Sequence, residues 1–357
     1  MSSQTQPLVH VILPVYNGER YLRECVEALG AQTYRNWQCT IVNNCSKDRS
    51  LEIARACAER DSRIRVIDSD TFRGMVANFE YAIALMPPQA RYLKFAFCDD
   101  QLLPECLQQM VALGESDPEV AIVGCYVTNG TRISSRGIPF GTQVVAGRFA
   151  GRCYLLNGES PFESLNALLF RADLIRRRGR LHNYDDGLFE DLDACLDILR
   201  ESKFGFVHQV LAFNRRDNQS TLSRIKAYNP MLLTDLLFLH RYGRAYLGAA
   251  ELQRVWDTKT RHYWQFLARS TLGRQDAGFW RFHEDGMQQM SIPFSRARLW
   301  WNVAQIILDR LLNPKSTCEK LLAHWRGGRP ESAERSDEPA DSGSASVQSP
   351  PTRRGAS

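Results

Sequence analysis

Along the first hundred residues, apolar side chains fall into two rhythms that take turns. Val9-His10-Val11-Ile12-Leu13-Pro14-Val15 is a continuous, β-branched run that breaks at Tyr16-Asn17-Gly18, a turn signal, and so predicts a buried strand. Tyr21, Leu22, Cys25, Val26 and Leu29 then recur at helical spacing, with Glu19, Arg20, Arg23, Glu24 and Glu27 on the other face. The alternation repeats. Trp37 to Val42 predicts a second strand, broken at Asn43-Asn44-Cys45-Ser46-Lys47-Asp48, and Asp48 or Ser50 can cap a helix carrying Leu51, Ala54, Cys57 and Ala58. Arg63 to Ile67 predicts a third strand, and Gly74 to Leu85 a helix closed by Pro87-Pro88. Tyr92 to Asp100 is an apolar run too short for a typical helix that stops at two adjacent carboxylates, Asp99 and Asp100, and it predicts a buried strand delivering these acids to a sheet edge. Leu103-Pro104-Glu105 starts the next helix. Strands joined by single helices need parallel crossovers, so the pattern predicts an open α/β sheet that binds ligands at the carboxyl ends of its strands.

Further on, Leu165 to Phe170 has the composition of a core strand, and Leu192, Cys195, Leu196 and Leu199 mark an amphipathic helix headed by Glu190 and Asp191. From Asn229 the alternation gives way to helical patterns dense in aromatics, beginning with Leu232, Leu233, Leu236 and Leu237. The expected organisation is an α/β domain over 1–228, a helical region over 229–328 and a disordered tail over 329–357, where Pro, Ser, Glu, Asp and Gly replace large apolar residues. In the segment Arg296 to Leu312, Arg298, Asn302, Gln305 and Asp309, continued by Asn313, form one polar stripe, and nearly everything else is apolar, including Trp300, Trp301, Ile306, Ile307 and Leu308. Two explanations fit so wide an apolar face: burial inside the helical region, or a helix lying in a bilayer interface.

Composition and charge sharpen this picture. With 44% hydrophobic and 24% charged residues, the 357-residue chain has the make-up of a globular protein with a sizeable core. Its ten cysteines form no C-x-x-C pair, and Cys25, Cys57, Cys106 and Cys195 fall on apolar helix positions, as expected of reduced core thiols in a cytosolic protein. Met1 to Pro7 lacks a signal-peptide pattern and no long apolar run occurs, so the chain is expected in the cytoplasm, with peripheral contact at the inner face of the cell membrane as an option. The formal net charge of +5 is concentrated in one place: between Ser291 and Pro330 seven Lys or Arg stand against Asp309 and Glu319. Over residues 296–326 these charges flank apolar surface instead of forming a polar groove, which points to anionic lipid in preference to nucleic acid.

The chemistry centres on Asp99 and Asp100. Neighbouring carboxylates repel, and a hard divalent cation that also binds phosphate oxygens relieves the repulsion. An ordinary strand end before an acidic helix start would carry the same residues. No G-x-G-x-x-G follows the first strand and no G-x-x-x-x-G-K-[ST] occurs anywhere, which disfavours dinucleotide-dependent and P-loop enzymes.

Four blocks in order resemble the glycosyltransferases of family 2, nucleotide-sugar-dependent enzymes with the GT-A fold. They are Val11 to Leu22, Ile41 to Asp48, Cys98 to Pro104, and Phe189-Glu190-Asp191-Leu192-Asp193. The resemblance implies an α/β fold with an open, mostly parallel sheet flanked by helices and an appended C-terminal helical region. It implies donor-binding roles for Pro14, Tyr16, Asn17, Glu19, Asn43, Asn44, Asn78, Asp99 and Arg216, and Mg2+ or Mn2+ on Asp99 and Asp100. Asp191 is the implied general base, with Glu190 beside it and Asp193 as the alternative within the same turn. Arg215 and Gln219 share with Arg216 a segment where relatives often carry a basic residue near the diphosphate. The implied reaction is inverting transfer of a sugar from a nucleotide donor, a UDP- or dTDP-sugar, to a glycan or lipid-linked acceptor, as in cell-surface polysaccharide synthesis. Two departures stand out. Asn43 occupies a position where the family commonly has Asp, and Phe97 one where many members place a further Asp. They leave open an inactive relative that binds glycan or scaffolds an assembly; a nucleotidyltransferase is disfavoured by the missing Gly-rich loop.

Overall fold

The computed structural model describes residues 6–162, 164–183, 189–215, 228–273 and 275–312. In chain order the elements are β1 (Leu8–Val15), α1 (Leu22–Gly30), β2 (Trp37–Asn43), α2 (Ser50–Arg60), β3 (Ile64–Asp68), α3 (Met75–Ala84), β4 (Ala90–Phe95) and β5 (Gln101–Leu102). They continue with α4 (Cys106–Ser116), β6 (Val120–Asn129), β7 (Arg132–Ser134), β8 (Val144–Ala146), α5 (Gly147–Asn157), β9 (Leu168–Arg171), α6 (Ala172–Arg178), α7 (Glu190–Ile198) and β10 (Lys203–Asn214). Among the described residues four helices follow: α8 (Pro230–Tyr246), α9 (Ala249–Leu272), α10 (Ala277–Gln289) and α11 (Arg296–Leu312).

The β-branched runs become the centre of one sheet because only a strand covered by helices on both sides can bury consecutive apolar residues. β1 is buried along nearly its whole length. The sheet order is β3-β2-β1-β4-β9-β6-β10-β5, with β7 on β6 and β8 on β10. β3, β2, β1 and β4 run parallel, and β10 runs parallel to β6; β9 inserts antiparallel between β4 and β6. The chain moves outward from β1 to β3 and then crosses back to β4, so the strand order reverses between β1 and β4. That reversal opens a crevice at the carboxyl end of the sheet.

Alternate β1 side chains feed two cores. Val9, Val11 and Leu13 share one core with Leu22 and Cys25 of α1, Ile53 of α2 and Leu107 of α4. Ile12 belongs to a second core with Phe79 and Ile83 of α3, Phe95 of β4, Tyr154 of α5 and Leu196 of α7. α8 belongs to that second core through Phe238, Leu239 and Tyr242, and to a third one through Leu233 and Leu236, where Tyr263, Trp264, Phe279, Met287, Leu299 and Val303 of the last three helices gather. The helical region thus grows out of one face of the sheet. Among the described residues, no helix is long and apolar enough to cross a membrane. The tail over 329–357 lies outside the described residues.

Two strands differ from expectation. β4 stops at Phe95: the Ala96 N–H still reaches Ile12 O at 3.0 Å, and then Asp100 N–H closes a turn on Phe97 O at 3.0 Å, so the acids stand on a loop. The run from Leu165 begins as a single 3-10 turn and becomes strand only at Leu168. The buried Lys94 ammonium explains this, since it takes the carbonyls of Asn166 and Leu168 and thereby draws the turn onto β4.

Candidate functional site

The turns after β1 and β2 form the rim of the crevice, and they are hydrogen-bonded to each other. Asn17, at φ 53°, donates its N–H to Ser46 Oγ at 3.0 Å and accepts from Lys47 N–H on its own Oδ1 at 2.8 Å. Gly18 N–H reaches Ser50 Oγ at 2.8 Å, Glu19 N–H reaches Asp48 Oδ2 at 2.9 Å, and Arg49 N–H returns to Glu19 Oε2 at 3.0 Å. A Cβ on Gly18 would lie 2.8 Å from Cys98 Sγ, so a larger residue would displace the Cys98 side chain of the loop that carries the acids. Asn44 braces the next loop: its amide donates to Arg73 O at 2.8 Å and accepts from Arg73 N–H at 2.9 Å. The side chains of Asn17, Glu19 and Asn44 therefore shape the crevice by holding backbone. Pro14 sits past the last β1–β4 partner pair, Ile12 with Phe95, where the lack of an N–H costs the ladder nothing.

Two features face the crevice from this side. Tyr16 and Phe72, both more than half exposed, meet edge to face with centroids 5.1 Å apart. Buried Asn43 donates its amide to Asp68 Oδ1 at 2.8 Å, and because a carboxylate only accepts, this contact fixes which way the amide points. Its Oδ1 is buried without a partner among the described residues, an acceptor ready for a donor from a ligand. Asn78 on α3 likewise keeps a buried, unpartnered Oδ1.

The acid pair is positioned by β5, which pairs antiparallel with β10 through Leu102 with Ala212 and Gln101 with Phe213. This register brings Arg215 onto the acids: its N–H donates to Asp100 Oδ1 at 3.1 Å and its Nε to Asp99 O at 3.2 Å. The guanidinium also reaches Glu24 at 3.1 Å and lies 4.2 Å over the Tyr21 ring. Burial, and then the charge of Asp99, push the Asp100 carboxyl up to about 7, against the opposing pull of Arg215. Crowded negative charge of this kind is what a divalent cation relieves, so the donor set fits Mg2+ or Mn2+. No cluster of three or more possible ligands occurs among the described residues, so diphosphate oxygens and water would complete the six positions.

Phe97, the departure beside the acids, packs 5.8 Å from Phe79 and 6.2 Å from Phe95, and these rings form an apolar wall. His182 packs on the same wall, 5.9 Å from Phe79 and 6.4 Å from Phe95. Its Nδ1 lies 2.6 Å from Glu80 Oε1, so Nδ1 carries the proton; Glu80 also accepts the His182 N–H at 2.7 Å. His182 in turn acts on Asp191, in the first turn of α7. Burial raises the Asp191 carboxyl above the ordinary carboxylate range, opposed by the Leu192 N–H and by the charge of His182. The residue remains partly open to solvent. Glu190 beside it is buried, and Phe189 before it adopts a left-handed backbone at φ 61°, a strained conformation for a bulky residue.

Asp193 has another task. Its carboxylate accepts from Asn183 Nδ2 at 2.6 Å, from Tyr242 OH at 2.9 Å and from the Arg241 guanidinium, which ties α7 to α8. It is no candidate base. Arg216 and Gln219 lie outside the described residues, and Arg215 is the described arginine at the acids. Sequence reasoning missed Glu80, His182, Asp68 and Phe72. Only Phe72 carried a local signal, a lone aromatic in the polar loop Asp70 to Gly74.

A family model for glycosyl transferase family 2 matches residues 10–177. An uncharacterized glycosyltransferase of Haemophilus influenzae is 30% identical over 214 residues, covering 58% of this chain and 79% of that protein. The uncharacterized glycosyltransferase EpsJ of Bacillus subtilis is 26% identical over 232 residues, 63% of this chain; the chain spans only 65% of EpsJ, and smaller shares of the curated relatives that come next. Among solved structures, S. aureus TarS in complex with UDP-GlcNAc superposes with a TM-score of 0.58 at 16% identity over 83% of this chain and 87% of that one. The mannosyltransferase PcManGT of Pyrobaculum calidifontis, in complex with GDP-Man and Mn2+, gives 0.52 at 14% identity over 87% of each. These structural likenesses carry the GT-A fold. The matched segment runs from β1 through the acid loop to α6, and with the Haemophilus relative it establishes that the chain belongs to glycosyltransferase family 2.

Proposed function

We propose that the protein is an inverting, metal-dependent glycosyltransferase that moves a sugar from a nucleoside diphosphate to a hydroxyl of a glycan or lipid-linked acceptor. The observation that carries this reading is the acid pair at the β1–β4 crevice, where Arg215 donates its N–H to Asp100 and its Nε to the Asp99 carbonyl, and burial and the Asp99 charge push the Asp100 carboxyl up. TarS with UDP-GlcNAc and PcManGT with GDP-Man and Mn2+ support a nucleotide-sugar donor and a divalent ion.

In this mechanism Tyr16 and Phe72 flank the base, and Asn43 Oδ1 accepts from its imide N–H, which suits uracil or thymine. Asp99 and Asp100 would hold Mg2+ or Mn2+, which supplies Lewis-acid charge to the departing diphosphate. Arg215 keeps the acid loop in register by gripping the Asp99 carbonyl. Phe79, Phe95 and Phe97 make the wall beside the acids apolar, which limits water near the reacting carbon. Asp191, raised by burial, accepts the acceptor hydroxyl's proton as that oxygen attacks opposite the diphosphate; a single base and in-line attack give inversion.

The test is calorimetric titration with UDP, dTDP and GDP, each with Mn2+ and with EDTA, on wild type and on Asp99→Asn/Asp100→Asn. One nucleotide is expected to bind with metal only, and the double variant to lose it. A folded wild type that binds none of them sinks the reading.

A further inference from the structure

Helix α11 has two apolar faces, and the fold uses one. Leu299, Val303 and half-buried Ile306 seat it in the third core, and the Arg298 guanidinium stacks 5.2 Å over Trp264 of α9. The other face is left uncovered by the described residues. Trp300, Ile307 and Leu311 form one ridge at helical spacing, and Trp301, Leu308 and Leu312 the ridge beside it. Their exposure runs from 44% at Ile307 to 71% at Leu311. Single exposed apolar residues are ordinary, but six large ones in one stripe mark an interaction surface.

Charge identifies the occupant. Arg296, Arg298 and Arg310 lie on this helix, and the segment around it, Ser291 to Pro330, has seven basic residues against two acidic ones. A second copy of the same face would bring like charges together, and the chain from 313 to 329 carries the same sign, so neither is drawn to the stripe by charge. Anionic headgroups are. Tryptophan beside arginine on an apolar helix suits the boundary between headgroups and acyl chains, and no described helix is long and apolar enough to go deeper and span.

We infer that the outer face of α11 docks the protein on an anionic lipid bilayer. The helix lies in the plane of the surface, with the Leu and Ile side chains in the acyl boundary, the indoles at headgroup depth, and Arg296 and Arg310 reaching phosphates. The inference stands apart from the transfer reaction, because no crevice residue takes part in it.

The experiment is floatation of the full chain with vesicles of phosphatidylcholine alone or mixed with phosphatidylglycerol. Wild type is expected to float with the anionic vesicles and much less with neutral ones. Arg296→Glu/Arg310→Glu is expected to weaken binding at least about fivefold per arginine, and Trp300→Ser/Trp301→Ser by more than about tenfold. Both variants should keep the wild-type melting temperature. Failure of wild type to float with anionic vesicles overturns the inference, as does floatation indifferent to the tryptophans. A lipid-free dimer that the tryptophan variant dissolves would assign the face to a second copy. A melting temperature lowered by that variant would assign it to a segment of the same chain.

Discussion

At Asn43 a single atom separates the family's usual aspartate from the residue present, and Asp68 gives the reason. The Asn43 amide donates to Asp68 at 2.8 Å; a carboxylate there would face another carboxylate across a part-buried contact. Asn43→Asp is therefore expected to lower stability by about 1–3 kcal/mol, and adding Asp68→Asn to recover most of it, as read by urea unfolding of the four proteins of the cycle. A double variant as weak as the single one would discard the explanation. At Asp191 the expected change is in rate: Asp191→Asn should slow nucleotide release from the donor about 10²–10⁴-fold and leave nucleotide affinity unchanged. His182→Gln removes the charge that opposes the raised Asp191 carboxyl, so the acidic limb of the kcat profile should move to higher pH. Tyr16, Asp99, Asp100 and Asp191 could be singled out in the sequence because each is next to a turn or strand end whose pattern is local. Asp68, Glu80 and His182 could not: the Glu80–His182 contact spans 102 residues, and a charged residue on a helix reads as solvated until its partner is known.

Among the elements, α7 separates two acids that look interchangeable in the sequence. Asp191 opens toward solvent, whereas Asp193 is 1% exposed and holds Asn183, Arg241 and Tyr242. Asp193→Ala leaves those donors facing an empty site and is expected to cost about 2–3 kcal/mol, below the usual figure for a fully buried broken pair because Arg241 is a third exposed. Its urea midpoint should fall while that of Asp191→Asn stays near wild type; equal losses would mean that both acids are structural. The same distinction governs what could be seen beforehand. β1, β2, β3 and the helices after them were legible because hydrophobic rhythm is a property of consecutive residues. The antiparallel insertion of β9 was not, since it depends on Lys94 reaching the carbonyls of Asn166 and Leu168, more than seventy residues away. Nor was the double service of α8, whose two apolar faces belong to different cores.

For the molecule as a whole, acid should act through two histidines kept neutral in the folded state. His10 is buried in β1 with both ring nitrogens unpartnered among the described residues, and burial, helped by the Arg65 charge, pushes it down to about 4. His283 is pushed down to about 4 by burial in the third core, where it lies between Tyr263 OH at 2.8 Å and Tyr228 O at 3.0 Å. The unfolded chain takes up both protons below about pH 6.5. Stability is thus fully present above that pH and falls as pH drops toward 4, by on the order of 3 kcal/mol per histidine. His10→Leu should halve this slope in urea unfolding followed from pH 7 to pH 4; an unchanged slope would remove His10 from the account.

The turn after β1 and the turn after β2 exchange hydrogen bonds in both directions, and Asn44 clamps the loop beyond them. Backbone already frozen has little conformational freedom left to surrender when a ligand arrives. In the proposed reaction a nucleotide therefore meets a finished mouth, and its arrival is governed by encounter, which differs little from one nucleotide to another. Discrimination falls to departure: the right nucleotide is the one that leaves late.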